Sequence, residues 1–313
     1  MPKMIRIGLI GVGPWGRNYA RTIAECPNAA LIAAATRNPA SSTFLPDGCE
    51  SLVDWRDLIA RADIDAVIIA TPPRTHADIA IAALRAGKAV LVEKPLTLRI
   101  DEARAIATAA RLSGRPVMVG HTHLFHPGFV RLCQEVAARG PVRGIRASAG
   151  NHGPYRADVP VLWDWGPHDV AMACAVLGQS PRAEAATRLA ARAVDGIQAE
   201  RIRLRLASAA AAPVTLKLST LDDRHRWFAV DLDDATLIYA DRSPSPLTLH
   251  TAPGALPEMA GHGIAVSDER PLTLLLAEFL DLVATGRASH DSLALGVSVV
   301  ELLSQCEALL RNG

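Results

Sequence analysis

The sequence predicts an α/β chain of two domains: a parallel sheet covered by helices, then a second domain of helices and successive strands. Three observations carry this reading. At 313 residues the chain exceeds the size at which one hydrophobic core usually stops growing. From Ile5 to Gly120, short apolar runs alternate with helical stretches of about 10 residues, the pattern of a parallel sheet covered on both faces. After about residue 121 the alternation stops, and Ala183 to His250 reads as strand after strand. The boundary is therefore placed between 121 and 122, with domains 1–121 and 122–313.

In order, Ile5–Ile10 is an isoleucine-rich strand running into glycine, Asn18–Glu25 is helical, and Ala30–Ala35 is a second strand. Asp65–Ala70 and Lys88–Val92 are buried strands separated by the helix His76–Ala86. Asp101–Leu112 is a helix stopped by Ser113-Gly114, and Pro116–Gly120 closes the first domain. Beyond it, Phe129–Ala138 and Pro167–Leu177 are helices, the latter ending at Gly178, and Val142–Ala149 is a strand. Strands follow at Arg201–Leu206, Val214–Thr220, Arg226–Leu232 and Thr236–Tyr239. The strict alternation of RIRLRL at 201–206 requires one apolar and one polar sheet face. Thr251–Glu269, rich in Gly and Pro, is a long loop before two terminal helices, Pro271–Thr285 and Gly296–Arg311.

Composition excludes several classes of function. The net charge of +1 gives no global attraction to nucleic acid or to an anionic membrane. The five cysteines are scattered without a C-x-x-C pair, which argues against a disulfide framework or a zinc knuckle and suits a reducing cytoplasm. No signal-peptide pattern opens the sequence, and no run of about 20 apolar residues suggests a membrane span. Of the 33 basic residues only Lys3, Lys88, Lys94 and Lys217 are lysines, so each lysine merits a question.

Gly11-Val12-Gly13-Pro14-Trp15-Gly16 follows the first strand and opens a helix. In that context Gly11 permits the tight turn, Gly13 lets backbone approach a pyrophosphate, and Gly16 lets helix and strand pack closely. The pyrophosphate then rests on a helix N-terminus, where free N–H groups and the dipole favour negative charge. At the end of the next strand, where NAD-binding chains place an acid for the ribose hydroxyls, this sequence has Thr36 and Arg37. With no carboxylate to repel it and a guanidinium to pair with it, a 2′-phosphate is accommodated; NADP is expected over NAD.

Glu93-Lys94-Pro95 follows directly on a buried strand, on the rim where open parallel sheets bind ligands. A lysine there can hydrogen-bond a substrate hydroxyl and stabilise a developing alkoxide.

The glycine turn, the segment ATPPRTHADIAIAALRAGKAVLVEKPL (Ala70–Leu96) and the Asp-x-x-x-His of Asp164 and His168 together resemble the Gfo/Idh/MocA (glucose–fructose oxidoreductase/inositol dehydrogenase) family. The likeness extends to the closing FLDLVATGR stretch. It implies an N-terminal Rossmann domain and an α+β C-terminal domain with an open, mostly antiparallel sheet whose free face mediates homodimers or homotetramers. It also implies that Lys94 polarises the substrate oxygen, that His168 accepts its proton and that Asp164 completes the site. Thr71, Pro72 and His76 match the cofactor-lining segment, Trp15 falls near the nicotinamide end, and Glu93 joins this cofactor set. The implied activity is NAD(P)-dependent oxidation or reduction at a secondary alcohol or ketone of a sugar, cyclitol or sugar-nucleotide. A non-catalytic sugar sensor and a reductase of a non-sugar substrate such as a dihydrodiol are the alternatives.

In LWDWGPHD (Leu162–Asp169) either Gly166 or Asp164 is expected to cap the helix, so that His168 sits at the helix N-terminus and the dipole keeps its ring neutral. Asp169 is expected to be structural. The alternation of HTHLFH places His121 and His123 on one face of a strand leaving the first domain, where they could line the substrate cleft. His152 and Arg156 are further candidates for substrate contact, although Arg156 reads first as a surface arginine. No metal site is expected: the histidines have no acidic partner nearby, and hydride transfer needs no metal.

Overall fold

The computed structural model describes residues 4–153, 155–208, 212–287 and 291–312, so Lys3, Pro154 and most of the alanine-rich 209–212 patch lie outside it. The chain divides into two units, Met1–His121 with Leu272–Val300, and Thr122–Pro271 with Glu301–Gly313. The sequence places all of 122–313 in one domain, whereas Leu272–Val300 groups with the first unit.

In the first unit the alternation becomes β1 (Ile5–Ile10), α1 (Pro14–Ala24), β2 (Ala29–Ala35), β3 (Glu50–Leu52), α2 (Trp55–Ala60), β4 (Ala66–Ile69), α3 (His76–Arg85), β5 (Ala89–Glu93), α4 (Ile100–Ser113) and β6 (Val117–Gly120). The six strands form one parallel sheet in the order β3-β2-β1-β4-β5-β6. This is the Rossmann order, which leaves a crevice where strand order reverses, beyond the ends of β1 and β4. Every residue of β4 and β5 is buried, which is why both read as unbroken apolar runs. α1 starts four residues earlier than expected, because Pro14 occupies its first position, where a missing N–H costs nothing. β3 and α2 escaped the sequence reading: β3 has three residues, and α2 is announced only by Asp54, whose side chain accepts from Arg56 N.

The second unit opens with a 3-10 turn, Thr122–Phe125, and not with the expected strand. His126 Nδ1 accepts from Gly128 N to cap the following helix, and Pro127 takes its first position, so the chain cannot continue as a ladder strand. The remaining elements are α5 (Pro127–Arg139), β7 (Gly144–Gly150), α6 (Val161–Leu177), β8 (Arg182–Val194), β9 (Ile197–Ala207), β10 (Pro213–Ser219), β11 (His225–Asp231), β12 (Thr236–Tyr239), β13 (Leu247–His250) and β14 (His262–Gly263). They build an eight-stranded sheet ordered β14-β13-β12-β11-β7-β10-β9-β8. Among the described residues only the β7–β10 pair is parallel. The β8–β9 hairpin turns at Asp195-Gly196, both at positive φ, as a two-residue hairpin loop requires. Ile202, Leu204 and Leu206 are fully buried while Arg201, Arg203 and Arg205 alternate with them, the two faces that RIRLRL implied. α5 and α6 pack against this sheet.

α7 (Pro271–Thr285) and α8 (Asp291–Asn312) close the chain. By length and composition alone α8 is long and apolar enough to cross a bilayer. Its apolar side chains are used inside the fold, however: Val299 and Val300 are buried in the first unit, Leu302 and Leu303 in the second.

Candidate active site

The loops at the carboxyl ends of β1, β2, β3 and β4 line a cavity of about 720 Å³ in the first unit. Gly11, Gly13, Thr36, Arg37, Thr71 and Pro72 all contribute to its wall. Gly11 has φ +95°, and a Cβ there would stand 2.8 Å from the Ala70 backbone. A Cβ at Gly16 would stand 2.0 Å from Gly11 O, so helix and turn can approach this closely only without one. Gly13 behaves differently: a Cβ would meet nothing within 4 Å, because this position faces open space. It is also the N-cap of α1, and no side chain caps the helix there. An uncapped helix start opening on a cavity of this size fits the pyrophosphate of a dinucleotide. Trp15, in the first turn of α1, is 41% exposed.

Several wall residues were not anticipated. Arg17 stacks on Phe44 at 3.6 Å, Arg56 on Trp55 at 4.2 Å, and Asn38 caps the turn after β2 by accepting from Ala40 N. The signal for Arg17 was available, since it lies one residue past the glycine motif. Asn38 comes from the turn after β2 and Arg56 from α2, neither of which the sequence disclosed.

At the end of β5, Glu93 is buried and works inward. Tyr19 Oη donates to its Oε1 at 2.6 Å, and Lys94 N donates to its Oε2 at 3.1 Å. Burial pushes the Glu93 carboxyl up, and the bond from Tyr19 pulls it back down. Tyr19 belongs to α1, so the helix that starts at the glycine turn is tied to the strand end carrying Lys94. His76 supplies a second tie. Its ring is fully buried, with Nδ1 3.0 Å from Pro95 O and Nε2 2.8 Å from Thr71 O. His76 thus joins the loop after β4 to the loop after β5, and burial lowers its pKa. His121, one residue beyond β6, is 2% exposed; burial first, and the Lys94 charge second, lower its pKa to about 3. Glu93 pairs with Gly120 across β5 and β6, so Lys94 and His121 follow one another in register on the same rim.

In the second unit α6 begins at Val161, preceded by Pro160, whose carbonyl accepts from Trp163 N and Asp164 N. Neither Gly166 nor Asp164 is therefore its cap. Val161, Leu162 and Trp163 are buried, and Trp163 Nε1 donates to Glu307 Oε1 at 3.1 Å; this packing draws the helix start back by six residues. A Cβ at Gly166 would stand 2.8 Å from the tip of the Leu303 side chain, and Pro167 lies inside the helix. His168 is consequently two turns in, beyond the first turn where the helix dipole acts, so the dipole expected to act on its ring does not reach it. Asp164 and His168 keep their i, i+4 spacing on one face of α6. Arg156, expected at the surface, lies with Nη1 3.5 Å from Asp164 Oδ1 and also pairs with Asp158. His152 lies 3.4 Å from Asp223 Oδ1.

Asp169 turns to the core, 1% exposed, and is ion-paired with Arg226 of β11, itself stacked over Trp165. The sequence held a signal for this: Arg226 shares its sheet face with buried Phe228 and Val230, and a charge in that register needs a buried partner. His123 meets His168 with ring centroids 4.7 Å apart. Among the described residues no three His, Cys, Asp or Glu side chains are grouped to hold a metal ion.

Residues 5–121 match the model of an oxidoreductase family with an NAD-binding Rossmann fold, GFO_IDH_MocA. An inositol 2-dehydrogenase of Rhizobium meliloti (strain 1021) is 34% identical over 193 residues, 58% of this chain and 58% of the relative. The chain thus aligns with less than two thirds of that relative's length. A crystal structure from Magnetospirillum magnetotacticum MS-1, assigned in general terms as an oxidoreductase, is 43% identical with a TM-score of 0.91, covering 96% of this chain and 99% of that one. A variant of a 3-ketoreductase from Actinomadura kijaniata, solved with TDP-benzene and NADP, shares the fold at 20% identity and a TM-score of 0.83, covering 99% and 97%.

Proposed function

This chain belongs to the Gfo/Idh/MocA oxidoreductase family, and we propose that it is an NAD(P)-dependent oxidoreductase acting on a secondary alcohol or ketone of a sugar, cyclitol or sugar-nucleotide. One observation carries the reading: the uncapped glycine turn after β1 and Lys94 after β5 stand on the same rim of the parallel sheet, tied together through Tyr19 and Glu93.

Gly11, Gly13, Thr36, Arg37, Thr71 and Pro72 would hold the dinucleotide, with its pyrophosphate on the start of α1. When bound, the nicotinamide accepts or donates the hydride. Lys94 donates a hydrogen bond to the substrate oxygen and stabilises its negative charge as the C–H bond breaks. His168 takes the hydroxyl proton in oxidation and returns it in reduction, and Asp164 orients and tunes His168. Arg156 lies beside Asp164, with Nη1 3.5 Å from Oδ1.

NADP is the preferred cofactor in this reading. Thr36 and Arg37 line the cavity at the end of β2, where an acid would select NAD. Asp54, the one carboxylate among the described wall residues, is occupied in capping α2 and pairing with Arg56. By the family likeness, the protein assembles as a homodimer or homotetramer through the free face of the eight-stranded sheet.

The test is a screen of sugars, cyclitols and sugar-nucleotides for nicotinamide absorbance change, with NADPH and NADH (or their oxidised forms) compared. Lys94→Ala and His168→Ala are each expected to lower turnover at least about 100-fold while the dinucleotide still binds. Near wild-type rates in either variant would refute the assignment, and a clear preference for NADH would refute the choice of cofactor.

A further inference from the structure

His123 and Tyr239 have no part in the reaction described above, yet both belong to a chain of aromatic rings that ends on His168. His126, which caps α5, meets Tyr239 edge-on with centroids 5.0 Å apart. Tyr239, at the end of β12, meets His123 at 6.2 Å, and its Oη lies 3.0 Å from His123 Nδ1. His123, in the 3-10 turn, then meets His168 of α6 at 4.7 Å with the planes 80° apart. The chain of rings from α5 and β12 thus reaches the His168 ring through His123.

The direction of the Tyr239–His123 bond follows from burial. Tyr239 is fully buried, and burial first, then the Asp241 charge, raises its pKa well above the ordinary value. The phenol keeps its proton. A buried hydroxyl that only accepted would leave that proton unpaired, at a cost of about 1–3 kcal/mol. Among the described residues His123 Nδ1 is its hydrogen-bond partner, so Oη–H donates to Nδ1. Nδ1 then carries no proton, and the neutral His123 ring holds its proton on Nε2. The bond fixes the tautomer of His123 and its ring plane together. A ring held in this way, packed edge-to-face at contact distance, restricts the orientations open to its neighbour.

We propose that His123 is a positioning residue that holds the His168 imidazole in its working orientation, and that Tyr239 acts through His123 by fixing its tautomer. The proposal rests on the proton-accepting role of His168 stated above. It concerns orientation rather than substrate contact, and so predicts an effect on kcat with little change in KM.

The test is a double-mutant cycle on the full chain, beside a spectroscopic measurement that needs no turnover. Tyr239→Phe removes only the hydroxyl, and His123→Phe keeps a flat ring beside His168 without the acceptor. Each is expected to lower kcat about 10-fold, and the double variant also about 10-fold, because both changes remove the same restraint. Losses that multiply to about 100-fold, or an unchanged kcat in either single variant, overturn the proposal. Imidazole 15N resonances of the wild-type protein, at a pH where the rings are neutral, are expected to show His123 protonated on Nε2, and Tyr239→Phe to give a mixture of tautomers. A wild-type His123 protonated on Nδ1 overturns the proposal even where no substrate is found. Absent turnover with the expected tautomer tells against the dehydrogenase reading instead.

Discussion

His121 shows what a single side chain can cost when it is buried just beyond a strand end. Neither of its ring nitrogens has a hydrogen-bond partner among the described residues, and burial together with Lys94 holds its pKa near 3. Its folded pKa is depressed below the unfolded value of about 6.5. As pH falls, the unfolded chain therefore takes the proton first, and stability is lost from about pH 6.5 down to the folded pKa. At pH 5 the difference is about 1.5 pH units, or about 2 kcal/mol. His121→Leu is accordingly expected to lose about 2 kcal/mol less stability than wild type between pH 8 and pH 5, as read by urea unfolding at both values. Equal losses in the two proteins would mean that His121 titrates normally. The sequence showed His121 as one of three histidines; its burial depends on contacts that no spacing encodes.

α6 is the element on which sequence and structure differed most. Part of it was legible: Asp164 and His168 at i, i+4, and Asp169 as a structural residue. Its start was not, because Pro167 reads as a helix start and only the packing of Leu162 and Trp163, with the Trp163–Glu307 bond, moves the start back to Val161. The Asp169–Arg226 pair joins this helix to β11, with both side chains almost fully buried. Arg226→Met strands a carboxylate in the core and is expected to cost about 3–5 kcal/mol, whereas Asp169→Leu combined with Arg226→Met recovers most of the loss. Equilibrium unfolding of the two variants measures this, and a single-variant loss below about 1 kcal/mol would show that the pair does not hold the helix.

At the scale of the whole molecule, the eight-stranded sheet presents one apolar face, built from Ile202, Leu204, Leu206, Val214, Leu216 and Leu218, and α6 packs against its β9, β10 and β7 strands. The opposite register carries Arg201, Arg203, Arg205 and Lys217. A homodimer or homotetramer formed on that free face predicts a solution mass of two or four times 33.2 kDa. Sedimentation equilibrium at micromolar concentration tests it, and a monomer throughout would exclude it. The basic register also predicts that such an assembly weakens or tightens with ionic strength, since exposed charges are screened within about 10 Å at 0.1 M salt.

The sequence by itself determined the parallel sheet, the glycine turn and the placement of Lys94 at a strand end, because each depends on local periodicity or on a residue that alone fits a backbone conformation. It also determined the two-faced strand at 201–206, for the same reason. Tertiary structure alone decided where α6 starts, that His76 and Glu93 tie loops together, and that Leu272–Val300 groups with the first unit. Those outcomes arise from contacts between residues far apart in the chain. Burial and hydrogen bonding there outweigh local preference by a few kcal/mol, and a one-dimensional pattern does not register them.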